Sequence, residues 1–293
     1  MKKMILGSTV LMFAALACNL GNPATQPSQP GVETVVTETI QAVTVNVPPS
    51  GDITATPVPA TQGGAQLTPD GTPVETSEIS FIIPNGVAND VTSIMTKDVE
   101  YPYINPSLGD MPQHLVISLN LYAVADTVYS PKIMIFRADE YGSYSEMTAE
   151  TINTLRTLQY AEGQPLPNEL DTTFTAQIHG LNFQNGHGIR YLTQVMQNFA
   201  AITNEELFYY YQGITNDGMY FVEAILPINT AFLPANGRTD TPLPTDGIPI
   251  NLDDFQGDAN AVREKLNNTE TYNFNPYLDA LDEMIGSVQV KGF

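Results

Sequence analysis

Carboxylates dominate the residues able to do chemistry: 32 Asp and Glu stand against 11 Lys and Arg, 3 His and 1 Cys in 293 residues. Paired acids are the tools of glycoside hydrolysis, which needs two carboxyl groups roughly 5 to 10 Å apart across a cleft. Adjacent pairs include Asp139-Glu140, Glu205-Glu206 and Asp253-Asp254. Neighbours in a strand or loop point apart, so a working pair has to be assembled by folding. The run Asn251-Leu252-Asp253-Asp254-Phe255-Gln256-Gly257-Asp258 gathers hard oxygen donors beside a glycine. Asp253, Asp254 and Asp258 are therefore candidate ligands for Ca2+, the one cofactor the sequence offers. The run lacks EF-hand spacing, and Asp258 equally suits the first position of a helix. His114, His179 and His187 share no metal-binding spacing, and His187 between two glycines marks a hairpin tip. No nucleophile elbow, S-x-x-K motif, dinucleotide fingerprint or Walker loop is present.

Tyrosine is the enriched aromatic, with 14 copies against no Trp, and it clusters at Tyr209, Tyr210, Tyr211 and Tyr220. Alternation along a strand sends neighbouring residues to opposite faces. Half of the cluster must therefore leave any one-sided core. Either Tyr209, Tyr211 and Tyr220, with His187, form a protein- or glycan-binding surface, or helices cover the second face and bury them.

The elements that position these residues follow from periodicity. Ile79 to Ile83 reads as a strand stopped by Pro84-Asn85-Gly86. Leu115 to Tyr122 alternates, and Lys132 to Arg137, apolar on both faces, reads as a central strand. Ser145 caps a helix carrying Ala149, Ile152, Leu155 and Leu158. Two hairpins follow: 174–183 with 189–196 about Asn185-Gly186, and 207–212 with 219–226 about Asn216-Asp217-Gly218. Five prolines between Pro227 and Pro249 make a long ordered loop or flap, a length usually tied to binding. Two helices close the chain, one capped by Asp258 and one by Asn275 with Pro276 at its first position, before a short strand at Val288-Gln289-Val290. The expected fold is α+β, an antiparallel sheet meander with helices packed on one face.

The N-terminus supplies an address. Met1-Lys2-Lys3 precedes an apolar run too short to span a bilayer, and the run ends at Ala14-Ala15-Leu16-Ala17-Cys18, the only cysteine. This pattern resembles the lipobox of bacterial lipoproteins, although the usual Leu three residues before the cysteine is Ala15 here. The resemblance implies cleavage after Ala17, a lipid on Cys18, and membrane anchoring outside the cytoplasm. From Asn19 to Glu78 there is no aromatic residue, and no Lys or Arg lies between Lys3 and Lys97. Such a segment builds no core and reads as a disordered Thr/Pro-rich tether, with an end-to-end distance of about 40 to 45 Å if it behaves as a flexible coil. The expected division is 1–17 signal peptide, 18–78 tether and 79–293 a single globular domain.

Charge narrows the partners. The formal charge of -21 becomes -23 once the leader, with two lysines and no acid, is removed. This repels nucleic acid and leaves cations, basic proteins of the envelope and neutral glycans. With a single cysteine no internal disulfide forms, so an exported domain rests on its core. The order of strands, the inserted helix and the last helix, Leu281 to Val288, resemble the layout of Mog1/PsbP-like α+β domains of small exported lipoproteins. That likeness implies binding or assembly work rather than catalysis. The sequence therefore predicts a lipid-anchored, non-catalytic binding module, with an acid-residue hydrolase working in a cleft beneath the Pro-rich loop as the alternative.

Overall fold

The computed structural model describes residues 70–98, 110–158, 175–195, 201–238, 240–249 and 254–293. Contacts divide the chain into Met1–Gly63 and Gly64–Phe293, and all described residues belong to the second unit. Its elements in chain order are β1 (Gly71–Glu75), β2 (Ile79–Pro84), β3 (Asp90–Thr96), β4 (His114–Asn120), β5 (Lys132–Arg137), α1 (Ala138–Gly142), α2 (Glu146–Thr157), β6 (Ala176–Phe183), β7 (Gly186–Thr193), β8 (Phe208–Thr215), β9 (Tyr220–Pro227), β10 (Asn229–Thr230), α3 (Phe255–Asn267), β11 (Phe274–Asn275), α4 (Leu278–Gly286) and β12 (Gln289–Val290). Seven strands form one antiparallel sheet in the order β3-β4-β5-β9-β8-β7-β6. A second sheet, β1-β2-β12, and the small β10-β11 pair complete the strands. The expected α+β class with antiparallel hairpins is what the chain adopts.

Helices cover both faces of the large sheet, not one. Leu115, Ile117, Ile133, Ile135, Val222, Ala224, Tyr209 and Tyr211 share one core with β2 and with Val262, Leu266, Leu281 and Ile285 of α3 and α4. Val116, Met134, Phe136, Phe221, Ile225, Phe208 and Tyr210 share the other with Tyr141 of α1 and Ile152 and Leu155 of α2. The central strands β8 and β9 are therefore buried almost end to end. Alternation decides which side each residue serves, while two helical layers decide that neither side meets water.

Local chemistry fixes the ends. Ser145 caps α2 through a capping box with Thr148, a device stabilising a helix by about 1 kcal/mol. Asp254, not Asp258, caps α3, its carboxylate accepting the Gly257 N–H at 3.0 Å. Residues 274–275 are drawn into the β10-β11 ladder, so α4 starts at Leu278 and Asn275 caps nothing. Residues 71–75, which composition assigns to the tether, form β1. This strand is mostly exposed and is held by its backbone ladder to β2, so no apolar pattern announces it. Cys18, the tether as far as residue 69, and Asp253 lie outside the described residues.

A pair of glycines makes room for one tyrosine. Gly188 and Gly213 are direct partners across β7 and β8, and the Tyr211 ring lies over both, its hydroxyl donating to the Leu181 carbonyl at 3.1 Å. A Cβ on Gly188 would stand 2.2 Å from the Gln212 carbonyl oxygen and 2.6 Å from the Tyr211 hydroxyl. Gly188→Ala is accordingly expected to cost about 1 to 3 kcal/mol, read as a lowered urea midpoint; an unchanged midpoint would show that the ring has room to move.

Candidate functional site

The sheet itself offers no tyrosine surface. Tyr209, Tyr210 and Tyr211 are all shut off from solvent, which corrects the reading of Tyr209 and Tyr211 as contact residues. Tyr220 is half-buried and engaged within the chain, its hydroxyl accepting the Phe293 N–H at 3.1 Å and its ring against the Phe293 ring. His187 is not at a hairpin tip either. The turn is Gln184-Asn185, and His187, already on β7, turns its Nε2 toward the Leu155 carbonyl 2.9 Å away at the end of α2. It is a clasp between sheet and helix.

What the sequence left unread is an ion pair between a buried arginine and a partly buried aspartate. Arg190, 2% exposed, stands between Ile189 and Tyr191 on β7 and meets Asp282 of α4 with two bonds of 3.1 Å. Its third donor goes to the Gln177 carbonyl, and the Tyr209 hydroxyl donates to the same carboxylate at 2.9 Å. Burial and the Asp282 charge push the Tyr209 hydroxyl far above its ordinary range, so it stays a donor. Gln177, at φ 52 in the bulge of β6, binds the carbonyls of Leu266 and Thr269 at the end of α3. One guanidinium thus ties β6, β7, β8, α3 and α4 together. His179 beside it has its pKa lowered by burial and by Arg190, so it resists protonation. The available signal was a cation placed inside an otherwise apolar strand.

The recess lies where the proline count pointed. Among the described residues of the Pro-rich segment, those just after β9 are clamped by Asn204. That side chain donates to the carbonyls of Thr230 and Leu233 at 3.0 Å each and accepts the Thr230 N–H at 2.9 Å. From α3, Lys265 reaches the Asp246 carbonyl and lies 4.6 Å over the Phe232 ring. Between loop and helix lies a shallow recess with an enclosed volume of about 20 Å³, walled by Ile202, Leu233, Ile248, Pro249, Ala259 and Val262. Asp258, one turn into α3, is the single carboxylate among the described lining residues. Hydrolysis needs two facing acids; this lining brings one.

The other acidic candidates are dispersed. Glu206 takes a hydrogen bond from Gln194 at 3.1 Å, and burial followed by the Glu205 charge raises its pKa. Among the described residues no three His, Cys, Asp or Glu side chains gather as a metal site, and Asp254 is spent on its cap. No described helix is long and apolar enough to cross a membrane. No protein-family profile, curated protein or solved structure matches the chain.

Removing Asp282 leaves Arg190 charged and buried. Asp282→Ala is expected to destabilise the fold by about 3 to 5 kcal/mol, and the double variant Arg190→Met, Asp282→Leu to recover most of that loss in urea unfolding. Equal losses in both variants would show that the pair itself, not the orphaned charge, holds the elements together.

Proposed function

We propose that this chain is a lipid-anchored lipoprotein outside the cytoplasm that works by binding, and that it seats an apolar, cationic group of its partner in the recess beneath the Pro-rich loop. The observation that carries this reading is the lining: eight apolar residues with one carboxylate among them. Small-ligand sites are typically concave and apolar, with few polar groups to set orientation. An apolar body gains by leaving water, and Asp258 favours a positive head over a neutral or negative one. The charge of the whole chain, -21, acts in the same direction and holds nucleic acid off. Support for the anchor comes from Lys2, Lys3, the short apolar run and Cys18 at its end. A tether of polar and proline residues would then carry the folded unit clear of the lipid surface.

Hexylamine and hexanol, equal in chain and different in charge, separate the two contributions. Titrated into the full-length protein, both are expected to shift the methyl resonances of Ile202, Ile248 and Val262, hexylamine binding up to about fivefold more tightly, with Asp258→Asn removing the difference. No shift at these methyls from either probe would overturn the pocket assignment. For the anchor, mass spectrometry of protein purified from its own membrane is expected to find the chain starting at Cys18 and carrying fatty acyl groups. An intact leader or an unmodified thiol would overturn it.

A further inference from the structure

Glu223 sits in the middle of β9, on the face covered by α1 and α2, and has no exposed surface. Gln212, its direct partner on β8, is equally buried. The Tyr210 hydroxyl donates to Glu223 Oε1 and accepts from Gln212 Nε2 at 2.8 Å. Two oxygens remain, Glu223 Oε2 and Gln212 Oε1, both buried and without a hydrogen bond. With Glu223 ionised, each is an acceptor only, and each would bear the cost of an unmet polar atom in the core. Directly opposed residues of antiparallel strands hold their Cβ atoms about 4.5 to 5.5 Å apart, within reach of one side chain by the other.

We propose that Glu223 is a neutral carboxylic acid in the folded protein, its Oε2–H donating to Gln212 Oε1. A single proton then satisfies both orphaned oxygens. It closes a ring in which Gln212 donates to Tyr210, Tyr210 to Glu223, and Glu223 back to Gln212. The ring joins the two central strands of the sheet and acts as a pH-sensitive lock.

The groups sharing that face bear on the proton. Lys132 stands on β5, two residue pairs along from the row of Glu223; Tyr210 and Tyr191 lie on β8 and β7, and Tyr141 comes from α1. His114 and His187 occupy the same face on β4 and β7, and Tyr129 joins it from the loop before β5. The carboxylates of α1 and α2, namely Asp139, Glu140, Glu146 and Glu150, are exposed, as is Arg156, which pairs with Asp139. Burial raises the Glu223 pKa well above its ordinary 4.5. The folded state therefore keeps a proton that the unfolded chain releases above that value. The stability this proton supplies is complete at acid pH and is lost as the pH climbs toward the folded pKa. Within that window each pH unit favours unfolding by about tenfold through this one group. Glu206 adds a slope of the same sign and His179 one of the opposite sign, so only a comparison with Glu223→Gln isolates the ring.

Urea unfolding of the full chain from pH 5 to pH 8.5 gives that comparison. The unaltered protein is expected to lose stability relative to Glu223→Gln by about tenfold in the unfolding constant per pH unit. Parallel profiles, or a variant that falls behind as the pH rises, would mean an ionised Glu223 held by Lys132 and would overturn the proposal. Infrared spectroscopy of the unaltered protein in D2O at pH 8 decides independently of whether the variant folds. A protonated carboxyl band is the expected result, and only ionised carboxylate bands would contradict it.

Discussion

Everything in this fold depends on the centre of one sheet being dry on both sides. Once α3 and α4 cover one face and α1 and α2 the other, β8 and β9 past Tyr220 can place no side chain in water. Any polar group on those strands must find its partner inside, because an unmet one costs about 1 to 3 kcal/mol and an unpaired charge more. The apolar residues follow from this demand, and so do the polar ones.

Two polar assemblies answer it, one per face. On the α3/α4 side, Arg190, Asp282 and Tyr209 share two carboxylate oxygens among three donors, and Gln177 extends the assembly to the end of α3. On the α1/α2 side, Tyr210, Gln212 and Glu223 lie on adjacent strands. The consecutive tyrosines 209 and 210 thus serve opposite faces, each with its hydroxyl aimed at an acid. What first resembles a run of aromatic contacts is the sheet's internal fastening. At the rim the Pro-rich loop, held by Asn204 and Lys265, stands off α3 and leaves an apolar recess.

Much of this architecture is legible in the chain. The alternating strands, both hairpins, the Ser145 cap and the final strand at residues 289–290 lie close to where periodicity and turn chemistry put them. Periodicity fails where exposure replaces burial: β1 and β3 carry too few buried apolar residues to announce themselves and are held by ladders to β2 and β4. It also fails at caps, since Asp254 and Asp258 are chemically alike and only the path of the chain chooses between them. The number of helical layers was not readable from single strands, which is why a one-faced sheet and an exposed tyrosine face were both plausible. Arg190 and Glu223, ionisable side chains set in apolar strands, are the visible sign that partners wait on other elements. The recess was anticipated through its loop alone, because Ile202 and Val262 lie some sixty residues apart in sequence and meet only on folding.

Mapped nitration of the folded, full-length protein with tetranitromethane tests the two-sided burial most directly. Tyr272 and Tyr277, 62% and 60% exposed, are predicted to be modified while Tyr209, Tyr210 and Tyr211 stay untouched until the protein is unfolded. Nitration of the three central tyrosines in the native protein would mean that one face of the sheet is open to solvent, and would contradict the account.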